Sequence, residues 1–282
     1  MSRHYFITDV FAEGPYSGNQ LATLPDAADL SGEEMQKIAR AFNFAETTFI
    51  TGGSVEDGFD VRIFTPTEEL PFAGHPTLGT SYVIRNHLLE SNSKTVTLNL
   101  GIGPISVSFA EDGVLWMAQN EPEFGEIVSH DRAALTLGLD VSDLDANFPC
   151  QMVSTGLEFL LIPLRSYEAL KRSYAGPNDV SRTVFTFCEG GYTHSQGIQA
   201  RMFATELGVS EDPATGSANG CLAAYLAEHA YLGDHVVDTC VGQGYEIARP
   251  SQLYLRSEKR SSGYNIQVGG RVNLVAVGQW LV

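Results

Sequence analysis

Glu46 lies in the run Phe42-Asn43-Phe44-Ala45-Glu46-Thr47-Thr48-Phe49-Ile50. Apolar neighbours disfavour the charged form of a carboxyl group and raise its pKa, and a carboxyl held near neutrality can both take a proton from a carbon acid and give it back. The plainer alternative is a solvated carboxylate at a strand end. Two turns of the form Pro-x-x-Gly-Thr/Ser add a second ingredient, His75-Pro76-Thr77-Leu78-Gly79-Thr80 and Asp212-Pro213-Ala214-Thr215-Gly216-Ser217. Each is expected to lead into a helix, whose first amides are unpaired at the positive end of its dipole. Two such ends converging on a cleft make an anion hole for a small carboxylate. His75 and Asp212 stand in equivalent places before the two prolines. Taken singly, Asp212 also reads as a helix cap and His75 as a polar residue bonded to backbone.

Other chemistries fit poorly. The seven histidines show no HExxH or comparable spacing, so no metal is expected. Gly101-Ile102-Gly103 and Gly242-Gln243-Gly244 resemble pieces of a dinucleotide loop, but strands rather than helices are expected after them and the third glycine is missing. Ser217 lacks the flanking glycines of a nucleophile elbow. Cys150, Cys188, Cys221 and Cys240 are widely spaced without a CxxC, which reads as buried free thiols.

The elements that must position these residues follow from local pattern. Ser31-Gly32-Glu33-Glu34 is a capping box, and Met35, Ile38, Ala39 and Phe42 then recur at helical spacing. Strands are expected over 5–10, 21–24, 46–50 and 59–64. His75-Pro76-Thr77 opens a mostly apolar stretch through Leu89 that reads as a buried helix, because proline suits a first turn. Antiparallel strands are expected over 95–99, 105–109 and 114–118, the last two joined by Glu111-Asp112-Gly113.

The same order recurs. Gly18-x-x-Leu21-x-x-x-Pro25 matches Gly156-x-x-Phe159-x-x-x-Pro163 at an offset of 138, Arg62-Ile63-Phe64 matches Arg201-Met202-Phe203 at 139, the two Pro-x-x-Gly turns match at 137, and Gly101-x-Gly103 matches Gly242-x-Gly244 at 141. Four matches in one order argue for duplication. A chain of 282 residues is also about two domains long. The expected division is 1–119 with a returning strand 271–282, which pairs with the N-terminal strand, and 120–270, with a linker in 120–125. The strand 271–282 has no clear counterpart in the first half.

Composition bounds the partners. Seventeen Lys and Arg against 34 Asp and Glu give a net charge of −17, which repels nucleic acid. The N-terminal residues lack a basic region followed by a long apolar one, and the longest later apolar run, 159–164, is too short for a bilayer. The chain is expected in the cytoplasm, without nucleic-acid or membrane partners, and a homodimer is the expected assembly.

Asp9-Val10-Phe11 with Gly18-Asn19, Glu46-Thr47-Thr48-Phe49, Arg62-Ile63-Phe64-Thr65-Pro66, Glu69-Leu70-Pro71-Phe72-Ala73-Gly74-His75-Pro76-Thr77 and Glu211-Asp212-Pro213-Ala214-Thr215-Gly216-Ser217 together resemble the PhzF-like family of phenazine-biosynthesis isomerases. The resemblance implies an α/β (α+β) chain of two pseudo-symmetric, diaminopimelate epimerase-like domains, each a mixed, mostly antiparallel sheet around a central helix. It implies a cofactor-independent isomerase that moves a proton between carbons of a small, carboxylate-bearing substrate. Glu46 would carry the proton, with His75 and Asp212 beside its path. Gly74, Gly216 and Ser217, together with Asn19, would hold the substrate. Related epimerases and racemases place a cysteine near the start of each central helix, and here Ala73-Gly74-His75 and Ala214-Thr215-Gly216 carry no thiol. Cys221 falls about one helical turn too far along. A two-base racemase and a binding protein without turnover are the rival readings.

Overall fold

The computed structural model describes residues 2–89, 93–176, 178–261 and 263–281. The chain divides into two compact units, Met1–Ala118 with Gly269–Val282, and Gln119–Val268.

In the first unit, Ser2–Val10 pairs antiparallel with Asn19–Leu24, which runs parallel to Glu46–Ser54. Glu46–Ser54 turns back antiparallel on Gly58–Phe64. Gly58–Phe64 takes the short strand Glu69–Leu70 antiparallel at one end and Thr95–Leu100 parallel at the other. Gly103–Phe109 and Leu115–Ala118 continue antiparallel. The capping box forms as expected: Ser31 Oγ accepts the Glu34 amide at 3.3 Å and the Glu34 carboxylate accepts the Ser31 amide at 2.9 Å. The helix it starts, Gly32–Phe42, buries Met35, Ile38 and Ala39 and stops where Asn43 turns left-handed.

The central helix of this unit is Gly74–Val83, extended by a π-helical turn over Ile84–Leu88. Every residue of Gly74–Val83 except Tyr82 is buried, so the helix turns almost no surface to solvent. Gly79 permits this enclosure. A Cβ there would stand 2.5 Å from Leu21 Cδ2 and 2.9 Å from Val10 Cγ2, so the helix can lie this close to the strands only without a side chain.

The second unit repeats the pattern strand for strand. Cys150–Ser154 is antiparallel to Glu158–Pro163, which is parallel to Val184–Glu189, which is antiparallel to Ile198–Ala204. Ile198–Ala204 takes Val209–Asp212 antiparallel and Val236–Gln243 parallel, and Ser251–Arg260 follows antiparallel. The central helix, Gly216–Glu228, is buried from Gly216 to Ala227. Each unit is thus a mixed, mostly antiparallel sheet built around one enclosed helix.

Val272–Leu281 returns to pair antiparallel with Ser2–Val10, and its counterpart lies not in the first half but in the second unit, where Glu123–Val128 flanks Cys150–Ser154 in the same way. The linker is accordingly shorter than 120–125, since Glu123 already belongs to a strand. Most side chains of Glu123–Val128 are exposed, so the strand carries no alternating apolar signal. All four cysteines are buried and none is in a disulfide. Among the described residues no helix is long and apolar enough to cross a membrane.

Candidate active site

In the first unit, Glu46 opens its strand and lies beside Leu21 of the parallel neighbour. The two-residue period of a strand puts Asn19, Leu21 and Thr23 on one face, and Glu46 and Thr48 on the same side of the next strand. That side meets the central helix: Thr80 donates to Thr48 Oγ1 at 2.8 Å, and Thr48 stands 2.9 Å from Thr23 Oγ1. Asn19 is buried at the head of its strand.

His75 is the second residue of the central helix, and its Nε2 lies 3.3 Å from Glu46 Oε2, with the imidazole 6% and the carboxylate 17% exposed. The ring also hydrogen-bonds the Gln20 backbone. Since Nε2 is turned to Glu46, that bond runs from Nδ1–H to the carbonyl. Burial pushes the imidazole down to about 3, which the Gln20 bond only partly offsets, so the ring is neutral at ordinary pH. A neutral imidazole protonated on Nδ1 presents a lone pair at Nε2, and this buried nitrogen has no hydrogen-bond partner of good geometry. A lone pair facing a carboxylate oxygen is favourable only when a proton lies between them.

In the second unit, Asp212 ends the strand Val209–Asp212, and its Oδ2 accepts the Thr215 hydroxyl at 2.5 Å. Gly216 and Ser217 open the central helix, and Ser217 is largely buried. Neither central helix has a side-chain cap at its N-terminus. The first amides of an α-helix have no intrahelical partner, which suits such an end to an anion.

The sheet registers revise how the two turns correspond. Ile63 pairs with Leu70, and Met202 with Asp212, so Asp212 is the counterpart of Leu70 rather than of His75. The helices start at Gly74 and Gly216. His75 therefore corresponds to Ser217, and Gly79 to Cys221. Matching the prolines shifted the alignment by five residues: Pro76 sits inside a first turn while Pro213 precedes its helix, and a missing N–H is tolerated in both places. Cys221 is buried against Thr155 and the Leu157 carbonyl, with its thiol pushed up to about 12 by burial. It is a packing residue.

Several supporting residues lie within the quoted motifs but are not among the candidate site residues. Gln243 and Thr215 bind one another beside Asp212. Arg201 forms a two-pronged pair with Glu211 at 3.1 and 2.7 Å and donates to the carbonyls of Leu170, Lys171 and Ser173. Arg62 forms the same two-pronged pair with Glu69, both at 2.7 Å. The repeated Arg with a Glu after the next turn was the available sequence signal. Among the described residues no group of three or more His, Cys, Asp or Glu side chains is placed to hold a metal.

Residues 8–278 match the family of phenazine biosynthesis-like proteins. A trans-2,3-dihydro-3-hydroxyanthranilate isomerase of Pseudomonas chlororaphis is 34% identical over 270 residues, covering 92% of this chain and 91% of that protein. An uncharacterized isomerase of Pasteurella multocida is 32% identical over 99% of this chain and 94% of its own. Among solved structures, a phenazine biosynthesis protein of the PhzF family from Bacillus anthracis superposes with a TM-score of 0.90 at 28% identity, each chain fully covered. A hydroxyproline epimerase from Agrobacterium vitis shares the fold, with a TM-score of 0.61 at 10% identity over 99% of this chain and 92% of that one. The match along nearly the whole sequence, with isomerases as its relatives, places the chain in the PhzF family of phenazine biosynthesis-like proteins, as an isomerase.

Proposed function

We propose that the protein is a cofactor-independent isomerase in which Glu46 removes a proton from one carbon of a small ring carboxylate and returns it to another. The observation that carries this reading is the Glu46–His75 contact, 3.3 Å between a carboxyl oxygen and the Nε2 of a buried imidazole. With His75 neutral and its Nδ1 proton committed to Gln20, Nε2 is free to accept a hydrogen bond from Glu46 once the carboxylate has taken the substrate proton. Glu46 is also the more exposed member of the pair, so a substrate meets the carboxyl first. Glu46 thus cycles between acid and base while His75 holds its orientation and accepts a hydrogen bond from the protonated form. In the first unit the helix-start amide at Gly74 and Asn19 are assigned to the substrate, and in the second unit Gly216 and Ser217 are, since fixed backbone dipoles suit an acidic protein that must bind an anion. Asp212, in the second unit, is assigned a part in tuning the proton transfer.

The relatives' substrate, trans-2,3-dihydro-3-hydroxyanthranilate, is a ring carboxylate of the required kind and is the first compound to assay. A two-base racemase needs a second acid–base group opposite Glu46, for which His75 and Asp212 are the candidates, and it would place deuterium at the original stereocentre rather than at a new carbon.

The test is proton exchange in D2O with that compound. Deuterium should enter at a new carbon with the wild type, and Glu46→Gln should lower turnover by about 10²-fold or more while binding survives. Ser217→Ala should lose less, because one hydrogen bond to a charged group is worth about 1.5–3 kcal/mol and the amides remain. A Glu46→Gln protein that turns over within a few-fold of wild type would refute the assignment.

A further inference from the structure

We infer that Gln243, acting through the Thr215 hydroxyl, is a positioning residue that fixes the orientation of the Asp212 carboxylate. Gln243 is fully buried in the second unit and all its hydrogen-bonding capacity is used. Its Nε2 donates to the Asp212 carbonyl at 2.9 Å and to Thr215 Oγ1 at 3.1 Å. Its Oε1 accepts the Thr215 amide at 3.3 Å and Asn219 Nδ2 at 3.0 Å. The amide can therefore face only one way round. Because Thr215 Oγ1 accepts from Gln243, its own hydrogen is free to point only at Asp212 Oδ2, 2.5 Å away. Gln243 sets the direction of the hydroxyl, and the hydroxyl sets the carboxylate.

The duplicated fold supplies the internal control. By sheet register and helix start, Asp212, Thr215 and Gln243 correspond to Leu70, Ala73 and Leu100 of the first unit. There the same three positions belong to one apolar cluster. The architecture is satisfied by hydrocarbon at all three. In the second unit all three are polar together and bonded to one another, and burying an amide and a hydroxyl costs free energy that packing alone does not require. Their common purpose is the one member that carries a charge, Asp212.

This inference rests on the reading of Asp212 as a group that takes part in the proton transfer. The test compares Thr215→Val, which removes the hydroxyl at nearly constant volume, with Thr215→Ser, which keeps it, and with Gln243→Glu, which replaces the donor to Thr215 Oγ1 by an acceptor. On trans-2,3-dihydro-3-hydroxyanthranilate, Thr215→Val and Gln243→Glu should lose about 10- to 100-fold in kcat, as expected of a displaced catalytic geometry, with KM within about two-fold of wild type. Thr215→Ser should restore kcat. Crystal structures should show the Asp212 carboxylate displaced in Thr215→Val and in place in Thr215→Ser. An unmoved Asp212 in Thr215→Val, or a kcat for that variant within a few-fold of wild type, overturns the inference. Glu46→Gln is assayed alongside: its inactivity beside an unimpaired Thr215→Val removes the role of Gln243 and leaves the proposed function standing. If the wild type does not turn over the compound, that reading of the substrate fails, and the position of Asp212 alone decides the inference.

Discussion

His75 should make the first unit lose stability as the solution is acidified, in an amount that can be worked out. Its pKa is pushed down to about 3 by burial in the folded protein, against roughly 6.5 in an unfolded chain. Between those values the unfolded chain binds a proton that the folded one does not. Stability from this group is therefore complete above the unfolded value and lost as pH falls, by about 1.4 kcal/mol per unit, until the folded pKa is reached. From pH 6.5 to 4 the loss is about 3 kcal/mol. Both tryptophans, Trp116 and Trp280, lie in the unit that holds His75, so urea unfolding followed by tryptophan fluorescence reports on it. The comparison is Glu46→Gln against Glu46→Gln/His75→Gln, because the shared background removes the titration of the neighbouring carboxyl. The protein with His75 should fall behind its partner as pH drops, with the difference growing at the stated slope. Parallel pH curves would show that the imidazole is charged in the fold or has no depressed pKa, and the account of the Glu46–His75 pair would go with it.

Two further outcomes concern the scaffold. Gly79→Ala should lower the unfolding midpoint although alanine favours helix by about 1 kcal/mol, because its Cβ would stand 2.5 Å from Leu21 Cδ2 and 2.9 Å from Val10 Cγ2 and overpacking costs about 1–3 kcal/mol; a raised midpoint would refute the close approach. Arg201→Met should cost about 3–5 kcal/mol, since Glu211 would be left buried without its partner. Arg62→Met should cost under about 1 kcal/mol, because the Arg62–Glu69 side chains are 36% and 43% exposed. Equal losses in chemical denaturation would contradict the difference in burial.

Much of the scaffold is legible in the amino-acid order because its signals are local. The capping box at Ser31 and Glu34 and the apolar spacing that follows it define a helix without reference to the rest of the chain. Repeated Arg-x-Phe triplets lie on equivalent strands for the same reason. What stays hidden depends on long-range register. His75 and Asp212 share a proline neighbour, yet strand pairing sets Asp212 opposite Met202 and puts His75 inside a helix. No local rule distinguishes a proline within a first turn from one that precedes it. Glu46 was legible as a carboxyl among apolar residues, whereas its contact with His75 joins two elements that only the folded sheet brings together. Gln243 looked like the middle of a glycine turn, and its meaning lies in which buried groups its strand end meets.

The strand Val272–Leu281 belongs to the first unit although it is made after the whole of the second. During synthesis, residues 2–118 emerge first but cannot complete their sheet, and the strand Ser2–Val10 keeps one side unsatisfied while the next 150 residues of the second unit are added. The second unit is continuous in sequence, so it can close before the first. The first unit can then complete its sheet only after the second has been translated, and until that point it carries an open strand edge of the kind that invites intermolecular pairing. Truncation before Val272 would make that interval permanent, leaving a completed second unit tethered to a first unit that cannot close.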